Sequence, residues 1–207
     1  WQSDPAQQDV LVALDRIHTE LLAASPPAFW QRVLGARQAA VRGLYLWGSV
    51  GRGKTFLMDL FFDGLPVEAK TRIHFHRFMQ GIHAELRSLS GQSDPLRTVA
   101  ERIAAKTRVL CLDEFFVLDI GDAMILGNLL KALFANGVCL LTTSNTAPAN
   151  LYRNGLQRDR FLPAIALIEQ HCEVIEMVSP TDWRLRALKQ APVYLVPPDA
   201  HAERALL

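Results

Sequence analysis

The sequence predicts an α/β fold of three layers, in which helices cover both faces of a mostly parallel sheet. Short apolar segments typical of buried strands alternate with longer segments of helical periodicity along most of the 207 residues. A glycine-rich turn at residues 48–55 separates the first of these strands from the helix that follows it. Hydrophobic residues make up 50% of the chain and charged residues 21%, a composition typical of globular proteins.

The first 42 residues are expected to form a helical segment that packs on the core. Asp4 suits the N-cap of a helix over residues 4–23, along which leucines and an isoleucine recur at helical spacing. Residues 25–27, Ser-Pro-Pro, end this helix, and a shorter helix is expected over residues 30–40.

Residues 43–180 are expected to form the core of the domain. Strands are predicted at 43–47, 72–78, 109–112, 138–142 and 173–178, and the one at 72–78 leads into a helix. Helices are predicted at 55–62, 80–89, 96–106, 123–136 and 151–170, the last with a break at Pro163. Asn136 and Gly137 suit a helix C-terminus. Residues 181–207 contain Pro192, Pro197 and Pro198 and are expected to form an irregular tail.

A phosphate-binding loop is predicted at the glycine-rich turn. The turn fits the pattern G-x-x-x-x-G-K-[ST] at every position, through Gly48, Ser49, Val50, Gly51, Arg52, Gly53, Lys54 and Thr55. Glycines let backbone N–H groups converge on phosphate oxygens, and the following helix adds its positive N-terminal end. Lys54 is expected to reach the β- and γ-phosphates of ATP, and the Thr55 hydroxyl to bind Mg²⁺. The alternative is a chance match to the pattern. About one chain in a hundred of this length is expected to contain such a match.

An acidic pair follows the apolar run at 109–112. Because the carboxyl ends of parallel strands share one edge of a sheet, Asp113 and Glu114 are expected to face the phosphates. Asp113 would hold the Mg²⁺ shell, and Glu114 would polarise the attacking water as general base. Taken alone, an apolar run that ends in Asp-Glu also fits a solvated strand end. The adjacent Glu argues against a small-molecule kinase, which has less need of a water-activating base.

Asn145 and a group of arginines are candidates for contact with the γ-phosphate. Asn145 ends the strand before Pro148, so its amide could hold the attacking water, or it could simply form a turn. The segment 151–160 contains three arginines, at positions 153, 158 and 160. One of them could reach the γ-phosphate of a neighbouring subunit as an arginine finger, although surface arginines on helices are usually solvated.

Charge, cysteines and hydropathy narrow the classes of function. The formal net charge of +1 gives no global sign of nucleic-acid or membrane-surface binding. Three scattered cysteines, Cys111, Cys139 and Cys172, suit neither a zinc site nor a disulfide framework and favour a reducing compartment. No apolar run has the length of a membrane span, and no signal-peptide layout precedes the first helix. A cytoplasmic protein is expected, or a mitochondrial one if a targeting segment has been removed.

In combination, these residues resemble AAA+ ATPases of the family that groups bacterial ZapE with the mitochondrial AFG/LACE proteins. The resemblance covers nearly the whole chain. The matching stretches are GLYLWGSVGRGKTFLMDLFF (43–62), RIHFHRFMQGIH (72–83), DPL (94–96), CLDEFFVLDIGDAM (111–124) and LLTTSNTAPANLYRNGLQRDRFLPAI (140–165), with DPAQ (4–7) and DWR (182–184) near the two ends.

The resemblance implies an AAA+ core that hydrolyses ATP and remodels a protein partner. In the bacterial branch the partner is FtsZ, whose polymers are destabilised, and the mitochondrial branch acts in inner-membrane protein quality control. By motif position, the family's nucleotide sensor falls on Asn145 and its arginine finger on Arg158, or else on Arg160, which implies a homo-oligomer. His74 and His76 match the family's HFH run and are expected to pack near the site.

The chain departs from the family pattern after residue 180. The family normally continues into a helical C-terminal lid that carries a nucleotide-sensing arginine, and residues 181–207 show no counterpart of it. Weak ATP binding and slow turnover are therefore expected of this chain. Two other functions remain open. One is an ATP-dependent loader of nucleic-acid helicases, and the other is a switch module that binds ATP without significant turnover.

Overall fold

A computed structural model describes residues 5–24 and 40–178, and within these ranges five parallel strands form the central sheet. The strands are β1 (Gly43–Trp47), β2 (Lys70–His74), β3 (Val109–Asp113), β4 (Cys139–Ser144) and β5 (Cys172–Glu176). They lie side by side in the order β2-β3-β4-β1-β5, and each neighbouring pair is parallel. The carboxyl ends of all five strands therefore meet at one edge, as the sequence predicts.

Helices cover both faces of this sheet. They are α1 (Pro5–Ala23), α2 (Lys54–Gly64), α3 (Phe75–Ser88), α4 (Pro95–Lys106), α5 (Ile120–Ala135) and α6 (Leu162–His171), with short 3₁₀ turns at Pro148–Asn150 and Arg158–Arg160. Because side chains alternate along a strand, β1 places Leu44 and Leu46 against α1 and α2, and Tyr45 in the core beneath α3 to α6. The predicted three-layer α/β fold is confirmed.

Helix α1 joins the core through one apolar face and one cation. Its buried residues recur at helical spacing and are Val10, Ala13, Leu14, Ile17 and Leu21. At its C-terminal end, the Arg108 guanidinium donates to the carbonyl oxygens of Leu21, at 2.7 Å, and Ala24. This cation satisfies carbonyls that the helix itself cannot pair and fixes α1 to the start of β3.

Residues 151–161 do not form an α-helix, so the prediction of a helix over 151–170 is wrong for its first half. Tyr152 and Gln157 have φ angles of 52° and 58°, in the left-handed region that a right-handed helix excludes. The Tyr152 ring packs so closely over Gly155 that a Cβ there would lie 2.1 Å from it, and the Tyr152 hydroxyl donates to the Leu156 carbonyl at 3.0 Å. Pro163 lies in the first turn of α6, where proline is well tolerated, and does not break a longer helix.

Other element boundaries differ by a few residues. Strand β2 ends at His74 and α3 begins directly at Phe75, whereas the predicted strand extends to residue 78. The Asp119 side chain accepts from the Gly121 N–H at 2.6 Å, which starts α5 three residues before the predicted position 123. Asn136 does end α5, and Gly137 follows with a φ of 80°, which confirms the predicted helix end. Asp4, most of the helix predicted over 30–40 and the tail 181–207 lie outside the described residues.

The three cysteines behave as small hydrophobic residues. All three thiols are free and buried, and burial raises the pKa of Cys111 and of Cys172 to about 12, so they remain protonated. Cys111 and Cys139 pack in the apolar core between the sheet and α1 and α2.

Within residues 5–24 and 40–178, none of the helices combines the length and the apolar character that crossing a membrane would need.

Candidate nucleotide-binding site

The loop between β1 and α2 has the backbone that a phosphate cradle needs. Gly48, Gly51 and Gly53 have φ angles of 148°, 82° and 90°, values that side-chain-bearing residues rarely adopt. A Cβ at Gly48 would lie 2.6 Å from the Met177 carbonyl oxygen, so no other residue fits there without movement. The Gly48 N–H donates to the Ser144 carbonyl at 3.2 Å, which ties the start of the loop to the end of β4.

Lys54 lies inside this loop, at the first position of α2. Its side chain is buried, and the ammonium donates to the carbonyls of Gly48 at 2.6 Å and Ser49 at 2.9 Å. No side chain caps this end of α2 among the residues the structure describes. The first N–H groups of the helix are therefore available to an anion at the place where the sequence predicts the phosphates.

Asn145 connects the phosphate loop with the next strand. Strand β4 lies between β1 and β3, so a residue that follows β4 stands between the loop and the acidic pair. The Lys54 ammonium donates to Asn145 Oδ1 at 3.0 Å. The structure thus places Asn145 next to Lys54, at the edge of the sheet where the strands end.

Asp113 ends β3 as a nearly buried carboxylate with a cation beside it. Its Oδ2 accepts from Arg72 Nε at 2.7 Å, and its Oδ1 lies 3.5 Å from both Arg72 Nη2 and Thr143 Oγ1. Arg72 also donates to Asp59 on α2. Burial acts to lower the pKa of the Arg72 guanidinium, but its hydrogen bonds to Asp113 and Asp59 raise that pKa above its ordinary value. Sequence reasoning missed both Arg72 and Asp59.

Glu114 follows Asp113 at the same edge of the sheet. Its φ of 55° is in the left-handed region, where a non-glycine residue is strained, and such strain is frequent at functional sites. The Glu114 N–H donates to Thr143 Oγ1 at 3.2 Å, while its carboxylate is 80% exposed. Glu114 Oε2 lies 3.9 Å from His74 Nδ1, since His74 ends β2 directly opposite Asp113. The carboxylate is therefore open to solvent.

A cleft of about 1110 Å³ begins at Glu114 and Asn145 and extends along α3. Its wall includes His76 and a pair in which His83 Nε2 lies 2.7 Å from Asp122 Oδ1. Along 115–118 the side chains alternate, so that Phe115 and Val117 are buried while Phe116 and Leu118 are 51% and 75% exposed. This apolar rim was also missed, although its period of two is visible in the sequence.

Arg158 and Arg160, the two candidates for the arginine finger, differ in their surroundings. Arg158 is partly buried, and its Nη2 donates to the Ala149 carbonyl at 2.7 Å. Arg160, two residues further, is exposed. Arg158 thus lies next to the Pro148–Asn150 turn, and within the described residues neither arginine forms a hydrogen bond or ion pair with Asp113 or Glu114.

The residues present fit a magnesium-bound nucleotide. Mg²⁺ prefers oxygen ligands and is usually held by one or two protein groups together with substrate phosphates. Thr55 offers a hydroxyl at the exposed start of α2, and Asp113 offers a carboxylate at the end of β3. The uncapped helix end and the side-chain-free cradle at Gly48 suit the phosphates themselves.

The glycine-rich loop after β1, the acidic pair after β3 and the intervening β4 define a P-loop fold of the AAA+ class. The chain belongs to the AFG1-like ATPase family, whose model matches residues 1–207. This match confirms the resemblance to that family.

Known proteins agree with this assignment. The chain is 52% identical over 208 residues to the cell division protein ZapE of Escherichia coli K12, covering 95% of this chain and 56% of ZapE. It is 39% identical over 177 residues to the lactation elevated protein 1 homolog B of Danio rerio, covering 80% of this chain and 35% of that protein. The chain thus spans about half the length, or less, of these relatives. The crystal structure of DnaI superimposes with a TM-score of 0.61 at 19% identity over 89% of this chain and 87% of DnaI, a likeness of fold alone.

Proposed function

We propose that the chain binds Mg-ATP at residues 48–55 and hydrolyses it with Glu114 as general base. The observation that carries the proposal is the hydrogen bond of 3.0 Å between Lys54 and Asn145. It joins the phosphate loop to the loop after β4, whose other neighbour is β3 with its acidic end. Three strand ends thus present a cation, an amide and two carboxylates at one edge.

Each group has a chemical task in this proposal. The loop N–H groups and Lys54 hold the β- and γ-phosphates, and Thr55 and Asp113 would hold Mg²⁺. When bound, Mg²⁺ neutralises charge on the phosphate oxygens. Asn145 orients a water molecule, and Glu114 accepts its proton as the water oxygen bonds to the γ-phosphorus. The bond from the γ-phosphorus to the β–γ bridging oxygen breaks, and ADP and inorganic phosphate leave.

Partner remodelling in bacterial cell division is the biological role we propose. Its support is the 52% identity to a cell division protein and the resemblance to a family whose bacterial members act on FtsZ. The cytoplasm is the corresponding compartment. We take FtsZ polymers as the substrate to be tested.

Adding FtsZ is expected to increase phosphate release from ATP by this chain. The chain together with ATP is expected to reduce the light scattering of FtsZ polymers formed beforehand. Glu114→Gln should leave the polymers intact, because partner remodelling depends on turnover. Equal loss of polymers with the variant would contradict the role of hydrolysis and favour the ATP switch. Salt-dependent binding to single-stranded DNA, without any effect on FtsZ, would favour the helicase loader instead.

Arg160→Ala is expected to lower phosphate release while ATP binding is retained. An arginine finger contributes about 10³- to 10⁵-fold in rate, so a loss of that order is expected if Arg160 acts on a neighbouring subunit. Its exposure supports this assignment over Arg158, whose guanidinium is bonded to the Ala149 carbonyl. Phosphate release should be measured against protein concentration, with Arg153→Ala as a control for another exposed arginine of the segment. If Arg160→Ala releases phosphate at the normal rate and Arg158→Ala loses phosphate release at unchanged thermal stability, the arginine finger would be Arg158 and not Arg160.

A further inference from the structure

Arg72 connects the proposed metal ligand to the helix that follows the phosphate loop. Its guanidinium donates from Nε to Asp113 on β3 at 2.7 Å, and from Nη1 to Asp59 on α2. Side-chain exposure is 17% for Arg72, 12% for Asp113 and 51% for Asp59. One cation thus holds two carboxylates that belong to different elements.

The geometry of this pair leaves one oxygen of Asp113 weakly held. Arg72 binds Oδ2 closely, whereas Oδ1 lies 3.5 Å from its nearest hydrogen-bonding partners, Arg72 Nη2 and Thr143 Oγ1. A metal-ligating carboxylate commonly accepts a hydrogen bond on its other oxygen, which fixes the orientation of the ligand. Oδ1 is thus the oxygen left for a cation.

Asp59 connects the other end of Arg72 to the helix that carries Thr55. Asp59 follows Thr55 by four residues on α2, so both side chains lie on the same side of that helix. Because a guanidinium is planar and carries five donors, it can hold Asp59 and Asp113 at the same time, which a lysine ammonium does less well. Arg72 therefore couples the position of Asp113 to that of the helix that carries Thr55.

We propose that Arg72 is a positioning residue that presents Asp113 Oδ1 to nucleotide-bound Mg²⁺, with Asp59 as its anchor. The proposal rests on the function proposed above, since it takes Asp113 and Thr55 as metal ligands. Mg²⁺ arrives with a triphosphate as a complex of net negative charge, so the nearby guanidinium does not repel what binds. Loss of Arg72 therefore weakens the contribution of Mg²⁺ and leaves the phosphate loop intact.

The measurement is the affinity for a fluorescent ATP analogue with EDTA and with saturating Mg²⁺. In the wild-type chain Mg²⁺ is expected to tighten binding, and Arg72→Gln is expected to lose about tenfold or more of this gain, the usual cost of removing a group that orients a metal ligand. Affinity in EDTA should stay unchanged, and Arg72→Lys should recover part of the gain. Arg97→Gln serves as a control, because the Arg97–Glu101 pair on α4 is exposed and remote in sequence.

The outcomes separate this proposal from the proposed function. A full Mg²⁺ gain in folded Arg72→Gln, or a larger one, would overturn the positioning role while ATP binding stands. Absence of any nucleotide binding by the wild-type chain would overturn both. If Arg72→Gln does not fold, Asp59→Asn decides, because Asp59 is exposed: a reduced Mg²⁺ gain supports the anchor, and an unchanged gain refutes it.

Discussion

Replacing Lys54 with Ala is expected to weaken ATP binding by about 100-fold or more. A hydrogen bond to a charged group contributes about 1.5–3 kcal/mol, and each 1.4 kcal/mol changes an affinity tenfold, so loss of two such bonds to phosphate gives this magnitude. The Lys54 ammonium already lies within the loop, at 2.6 Å from the Gly48 carbonyl and 2.9 Å from that of Ser49. It needs only a small movement to meet an anion held by the N–H groups of the loop.

Isothermal titration calorimetry with Mg-ATP measures this loss. Lys131→Ala is the matched control, since Lys131 is an exposed lysine on α5 and its removal should leave the affinity unchanged. The thermal midpoint must be compared as well, because Lys54 is bonded to Asn145 and its removal also frees two loop carbonyls. Equal affinities for wild-type chain and folded Lys54→Ala would remove the phosphate loop from the proposed function.

The phosphate loop could be predicted because its chemistry is local. Eight consecutive residues contain the glycines, the lysine and the threonine, so the whole pattern is visible within one short stretch of the sequence. The same holds for the end of α5, where Asn136 and Gly137 act on their own helix. The alternation of strands and helices likewise predicts a parallel sheet without knowledge of the order of its strands.

Contacts across the sheet could not be predicted in this way. Arg72 meets Asp113 only because β2 lies beside β3 in a register that pairs Arg72 with Cys111, two residues before the end of that strand. Asn145 meets Lys54 only because β4 lies between β1 and β3. Strand order and register are tertiary properties, which helical or strand periodicity leaves undetermined.

The first half of the helix predicted over 151–170 is wrong for a related reason. Its composition suits a helix, but the Tyr152 ring packs against Phe161 and over Gly155, and these contacts favour a compact turn. Local propensity is a weak guide where a buried aromatic side chain can be satisfied in another conformation. The consequence for function is that Arg158 and Arg160 lie on a short 3₁₀ turn before α6.

Glu114→Gln is expected to lower the rate of phosphate release by about 10²- to 10⁴-fold, the usual contribution of a general base. The amide has nearly the shape of the carboxylate but cannot accept the proton of the attacking water. ATP binding should persist, because the Glu114 side chain is 80% exposed and the substitution leaves Lys54 and Asn145 beside the phosphates unaltered. Single-turnover phosphate release, together with calorimetry of Mg-ATP binding, measures both quantities on the same variant.

The substitution of Glu114 by Gln is expected to leave the backbone at this position unchanged. The left-handed conformation at φ 55° is fixed by the N–H bond to Thr143 Oγ1 and by the bond from the Phe115 N–H to the Thr143 carbonyl at 2.7 Å, and Gln keeps both. Glu169→Gln, an identical change at an exposed position of α6, controls for the loss of one negative charge. Unchanged turnover in Glu114→Gln would assign proton transfer to another group. Loss of binding together with turnover would instead place the Glu114 carboxylate among the groups that hold the nucleotide.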